Sequence, residues 1–125
     1  MAKILVVDDD KSIIALLQFV LEKDGHAVRV ANNGKDGLAL AKAETPDLIV
    51  LDVMMPEMDG FSVSGLLFQD PVLRRTPVLI LTAKGSSRNI FELVPNVRLY
   101  MDKPFDPEEF RNNVKRLLAP PLGAI

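Results

Sequence analysis

Three short, unbroken apolar runs, Ile4–Val7, Leu48–Leu51 and Val78–Leu81, constrain this 125-residue chain more than any other feature. Four apolar residues in a row, with no polar alternation, suit a strand buried on both faces. A sheet made of such strands needs helices covering both sides. The intervening stretches switch to helical spacing. Ile13, Leu16, Leu17, Val20 and Leu21 fall on one helical face before Gly25. Lys35 to Glu44 reads as a second helix, broken by Pro46, and a third runs from Phe61 to about Gln69. Ala27 to Ala31 reads as a further strand with Val28 and Val30 on one face, followed by a turn at Asn32-Asn33-Gly34. The final helix opens at Asp106 or Pro107. Glu108 and Glu109 in its first turn and Lys115 and Arg116 in its last complement the helix dipole, and Phe110, Val114, Leu117 and Leu118 form its buried stripe. Between Ser86 and Tyr100, Pro95 separates a short helix to about Val94 from a short strand at Val97 to Met101. Alternating strands and helices predict one α/β domain with a parallel sheet. We place the domain at residues 1–118; residues 119–125, with Pro120-Pro121, read as a tail or the start of a linker.

Composition narrows the function. A net charge of -2 gives no reason to expect a nucleic-acid partner. Cysteine is absent, which removes disulfide and thiolate chemistry and fits a reducing compartment. The apolar run after Lys3 ends at Asp8-Asp9-Asp10, too short for a signal-peptide core or a membrane span. These features predict a soluble, cytoplasmic protein without membrane contact.

The polar residues that carry chemistry recur at equivalent places. Asp8, Asp9 and Asp10 follow the first apolar strand, Asp52 closes the third, Thr82 closes the fourth, and Lys103 follows the fifth. In open parallel sheets ligand sites lie outside the carboxyl ends of the strands, so these residues should converge on one edge. Carboxylates forced together need a cation among them, and hard oxygen donors select Mg²⁺ or Mn²⁺. A metal, an ammonium and a hydroxyl around one carboxylate suit a phosphoryl group, with the carboxylate as nucleophile.

Asp8-Asp9-Asp10 after Ile4–Val7, the segment Leu51 to Gly60, Leu81-Thr82-Ala83 and Asp102-Lys103-Pro104-Phe105 together resemble the signature segments of response-regulator receiver domains. The resemblance extends to about Leu118 and implies a flavodoxin-like, doubly wound five-stranded sheet of order 2-1-3-4-5 with helices on both faces. It implies that Asp52 is the phosphoacceptor, that Asp9 ligates Mg²⁺ directly, and that Asp8 reaches it mainly through water. It further implies that the Met54 carbonyl is a metal ligand, that Lys103 contacts the phosphoryl oxygens, and that Thr82 and Tyr100 move together on activation. A cis bond is expected before Pro104. Implied partners are a histidine kinase or phosphotransfer protein and a downstream protein target, with the chain a monomer or weak homodimer. Such a chain assists its own phosphorylation and dephosphorylation and is not a turnover enzyme.

Other residues read more plainly. Asp10 should cap the first helix. His26 reads as a surface residue, Arg74-Arg75 as a solvated loop, and Met54, Met55 and Met58 as loop packing rather than a thioether site. The segment Leu93 to Arg98 departs from the family's usual Gly-Ala pair, and Met54 and Lys84 occupy positions that influence phosphoryl lifetime in the family. The alternative reading is a receiver-like binding module that works without phosphorylation. A haloacid-dehalogenase-type phosphatase would need a second aspartate where Met54 stands, and a nucleotide-binding flavodoxin-like protein would need a glycine-rich loop where Asp8-Asp9-Asp10 stands.

Overall fold

The structure is a computed structural model, and it describes residues 2–52, 60–83 and 95–119; of Gly60, Phe61, Thr82 and Ala83 it describes the backbone alone. Five parallel strands form one sheet in the order β2-β1-β3-β4-β5: β1 Lys3–Val7, β2 Ala27–Ala31, β3 Leu48–Asp52, β4 Val78–Ala83 and β5 Val97–Lys103. Among the described residues the helices are α1 Lys11–Lys23, α2 Gly34–Glu44, α3 Gly60–Gln69 and α4 Pro107–Leu118, with a 3-10 turn at Leu73–Arg75. This is the sheet order expected from the sequence. No helix among the described residues is long and apolar enough to cross a membrane.

The apolar runs are buried as their composition requires. Ile4 to Val7, Leu48 to Leu51 and Val78 to Leu81 are all at most 2% exposed, so these runs have no solvent face. Alternate residues divide between two cores. Ile4, Val6, Leu48, Val50, Leu79 and Leu81 pack under α1 and α4, against Leu17, Leu21, Phe110 and Val114. Leu5, Val7, Ile49, Leu51, Val78 and Ile80 pack under α2 and α3, against Ala41, Val63 and Leu67. Each fully buried branched side chain is worth about 1.5–3 kcal/mol relative to exposure, so strand identity rests on these runs.

Helix boundaries follow local chemistry. Asp10 caps α1, its carboxylate accepting from the Ser12 and Ile13 N–H groups at 2.9 and 3.3 Å, and Gly25 turns the chain at φ +89°. Asn33 caps α2 by accepting from the Asp36 N–H at 2.8 Å. Asp106 caps α4, and Arg111 ties that helix to the end of α1 through two hydrogen bonds to Asp24, at 2.7 and 2.9 Å. That contact holds the Asp24 carboxyl below the ordinary value of 3.8 and raises the Arg111 guanidinium above its own.

Several expectations change. β5 continues past Met101 to Lys103, because its backbone keeps pairing with β4 through Ala83↔Lys103 whatever the side-chain polarity. His26 is half-buried rather than a plain surface residue, and its Nδ1 accepts the Ala2 N–H at 3.2 Å. Arg74 and Arg75 lie in the 3-10 turn, with Arg74 stacked over the Phe68 ring at 4.9 Å. Val28 and Val30 differ: Val28 is buried, whereas Val30 on the sheet's edge is 37% exposed. In α4, Phe110 and Val114 are buried but Leu117 and Leu118 only half-buried, and the buried stripe includes Asn113. The short helix to about Val94 lies outside the described residues.

Candidate functional site at the carboxyl edge of the sheet

Strand β1 ends at Val7, and the next residue is still held to the sheet, the Asp8 N–H donating to the Ala31 carbonyl of β2 at 3.1 Å. Asp8 therefore enters the edge of the core, where it is fully buried, while Asp9 beside it is exposed. Asp52 is the last residue of β3 and is 3% exposed. Side-chain oxygens of Asp8, Asp9 and Asp52 all lie within 4.8 Å of one another. Lys103, the last residue of β5, reaches this group. Its ammonium lies 3.0 Å from Asp8 Oδ2 and 3.2 Å from Asp52 Oδ1.

Two buried carboxylates thus share one cation, and the second Asp8 oxygen accepts the Asp10 N–H at 2.9 Å. Burial pulls the Lys103 ammonium down, but hydrogen bonds and charge from Asp8 and Asp52 outweigh it, and its pKa is raised above 10.5. The Asp8 carboxylate therefore links three elements: its own strand, the start of α1 through Asp10, and β5 through Lys103. Backbone geometry aims all of this at one edge, since the parallel strands end together there.

Of the other residues singled out by sequence, Thr82 lies near the end of β4, paired with Asp102 across the ladder; its backbone alone is described. Tyr100 is half-buried on β5 and packs against the core under α2 and α3. The Lys103–Pro104 peptide bond is cis. Met54 and Lys84 lie outside the described residues. Sequence reading passed over three buried polar residues, Ser64, Asn96 and Asn113. Asn96 Nδ2 donates to the Ser64 carbonyl at 3.3 Å, joining α3 to the start of β5, while its Oδ1 has no partner among the described residues. A lone Asn after Pro95 carries no pattern that distinguishes a buried amide from a turn residue.

The donor set is all carboxylate oxygen, two of the three groups buried, with no soft ligand among them. That chemistry fits a hard divalent cation such as Mg²⁺.

Comparison with known proteins agrees with this geometry. Residues 4–115 match the response regulator receiver domain model. The chain is 46% identical over 120 residues to the alkaline phosphatase synthesis transcriptional regulatory protein PhoP of Bacillus subtilis, covering 93% of this chain but 48% of that protein. It is 38% identical over 120 residues to protein PilH of Pseudomonas aeruginosa, covering 95% of this chain and 99% of that one. The chain therefore spans about half of PhoP and nearly all of PilH. Among solved structures, the chemotaxis response regulator CheY4 of Vibrio cholerae superposes with a TM-score of 0.89 at 33% identity, covering 94% of this chain and 99% of that one.

Proposed function

The chain belongs to the response regulator receiver family, and from that premise we propose that it is a phosphoacceptor switch whose acceptor is Asp52. A histidine kinase or phosphotransfer protein supplies the phosphoryl group, and the phosphorylated chain presents an altered surface to a downstream protein. Residues 1–118 form the receiver; this division is supported by the end of α4 at Leu118.

The observation that carries this reading is the convergence of Asp8, Asp9, Asp52 and Lys103 at one sheet edge. In the proposed step an Asp52 carboxylate oxygen forms a bond to phosphorus as the bond from phosphorus to the donor's imidazole nitrogen breaks. The electron pair leaves with the imidazole. Lys103 stands 3.2 Å from Asp52 and would move from the carboxylate to the incoming phosphoryl oxygens, which carry the developing charge. Asp8 holds Lys103 in reach while this happens. Asp8, Asp9 and Asp52, with the Met54 carbonyl, would hold Mg²⁺, or Mn²⁺ in its place. A bound cation supplies positive charge that lets phosphoryl oxygens approach the three carboxylates. Thr82 would donate its hydroxyl to a phosphoryl oxygen, and Tyr100 would turn inward as it does so. These two roles rest on the family resemblance.

The test is to incubate the protein with Mg²⁺ and acetyl phosphate and weigh it intact beside Asp52→Asn. One added phosphoryl group on the wild type alone is the expected outcome. No addition to a folded wild type would overturn the reading and favour a binding module that works without phosphorylation.

A further inference from the structure

Strand β2 is one edge of the sheet, and among the described residues no strand pairs with its outer side. The Ala27 N–H donates to the Ala2 carbonyl at 2.9 Å and the Ala31 carbonyl accepts from Asp8 at 3.1 Å. Odd-numbered residues therefore face β1, and the backbone groups of Val28 and Val30 turn outward. The Val28 carbonyl is screened by the Arg29 guanidinium at 3.5 Å, whereas Val30 is 37% exposed. An open edge bearing β-branched apolar residues is a template for association. Helix α1 on one face and α2 on the other flank this edge and leave a groove of about 790 Å³, floored by Ile14, Ala15, Val30, Ala39, Leu40 and Ala43. The small side chains Ala15, Ala39 and Ala43 are exposed, so another backbone can come close.

The charges around the groove identify its occupant. Lys11, Ala15, Gln18 and Glu22 recur at helical spacing along one stripe of α1, which begins with a cation and ends with an anion. Gln18 bonds Glu22 at 3.3 Å within that stripe. Helix α2 turns Asp36, Ala39, Leu40 and Ala43 to the groove. A second copy laid parallel would set like charge against like. Laid antiparallel, it sets Lys11 against the other copy's Glu22, with the apolar floor between. We propose that this β2 edge is an isologous contact between two copies of the chain, related by a twofold axis perpendicular to the sheet. The face is separate from β5 and α4, and the contact does not depend on phosphoryl transfer.

Sedimentation velocity over rising protein concentration, without Mg²⁺ or phosphodonor, tests this. The wild type should form a dimer. Ala15→Glu, which puts a charge at the centre of the exposed stripe, should leave a monomer, and Ala39→Lys on the facing helix should do the same if Ala15→Glu fails to fold by circular dichroism. Lys11→Glu and Glu22→Lys should each raise the dimer dissociation constant roughly tenfold, because twofold symmetry loses each ion pair twice. The double reversal should restore it. A wild type that stays monomeric overturns the proposal. So does a dimer indifferent to these folded alanine variants, or a double reversal that recovers nothing.

Discussion

At the scale of single residues, Lys103 organises the site. Its ammonium is the shared partner of Asp8, which is fully buried, and Asp52, which is nearly so. Removing one partner of a buried ion pair leaves charge without compensation, and the cost here is reduced because the lysine side chain is 24% exposed. Lys103→Met should therefore lose about 2 kcal/mol of stability at neutral pH without metal, read from urea denaturation. An unchanged midpoint would mean that the pair contributes nothing. The pH dependence has a definite sign. The folded state raises this lysine's pKa, so its contribution is complete below 10.5 and is lost as pH climbs through the raised value. Wild-type protein should lose stability in that alkaline window, and the variant should lack this component.

At the scale of elements, the seating of α2 on β1 depends on a missing side chain. A Cβ at Gly37 would meet the two Val7 methyl carbons at 2.7 and 2.9 Å, and Val7 is itself buried. A β-branched side chain fixed in the core cannot give way easily. Gly37→Ala should therefore destabilise by about 1–2 kcal/mol despite alanine's better helix propensity. Val7→Ala in the same chain should recover part of the loss, since the clash is specific to that pair. Gly65 in α3 is the contrasting case, with no described atom within 4 Å of where a Cβ would stand. Gly65→Ala should stabilise by about 0.5–1 kcal/mol. Thermal denaturation of the two variants should give shifts of opposite sign. A loss at Gly65 or a gain at Gly37 would contradict the packing described.

At the scale of the whole molecule, the carboxyl edge joins both cores to one set of charges. A cation that binds only the folded arrangement stabilises the entire domain by mass action, about 2.7 kcal/mol at a hundredfold excess over its dissociation constant. Mg²⁺ should therefore raise the thermal midpoint by about 5 °C or more. Asp9→Asn should abolish most of that rise at little intrinsic cost, because Asp9 is exposed. A midpoint insensitive to Mg²⁺ would remove the proposed metal role of Asp8, Asp9 and Asp52.

The residues that define this fold were legible because their signals are local or periodic. Unbroken runs such as Leu48–Leu51 mark strands with no solvent face, and Asp10 and Asp106 mark helix starts through their own side-chain oxygens. Asp52 stood out because it closes an apolar strand, and Lys103 because it precedes Pro104-Phe105, both in segments that resemble a known family. What sequence left undecided depends on neighbours remote in the chain. Lys103 ends β5 because Ala83 continues to pair with it, which no residue near Lys103 reveals. Val28 and Val30 share strand parity, yet only Val30 is exposed, because the packing around the strand treats them differently. Asn96 is buried because Ser64 of α3 lies over it, and Asp8 is buried while Asp9 is exposed because consecutive residues leaving a strand point to opposite sides. Sequence determined the elements and the chemistry available to them. Tertiary structure alone decided which side chains water reaches, and that exposure sets which of three adjacent aspartates is held by Lys103.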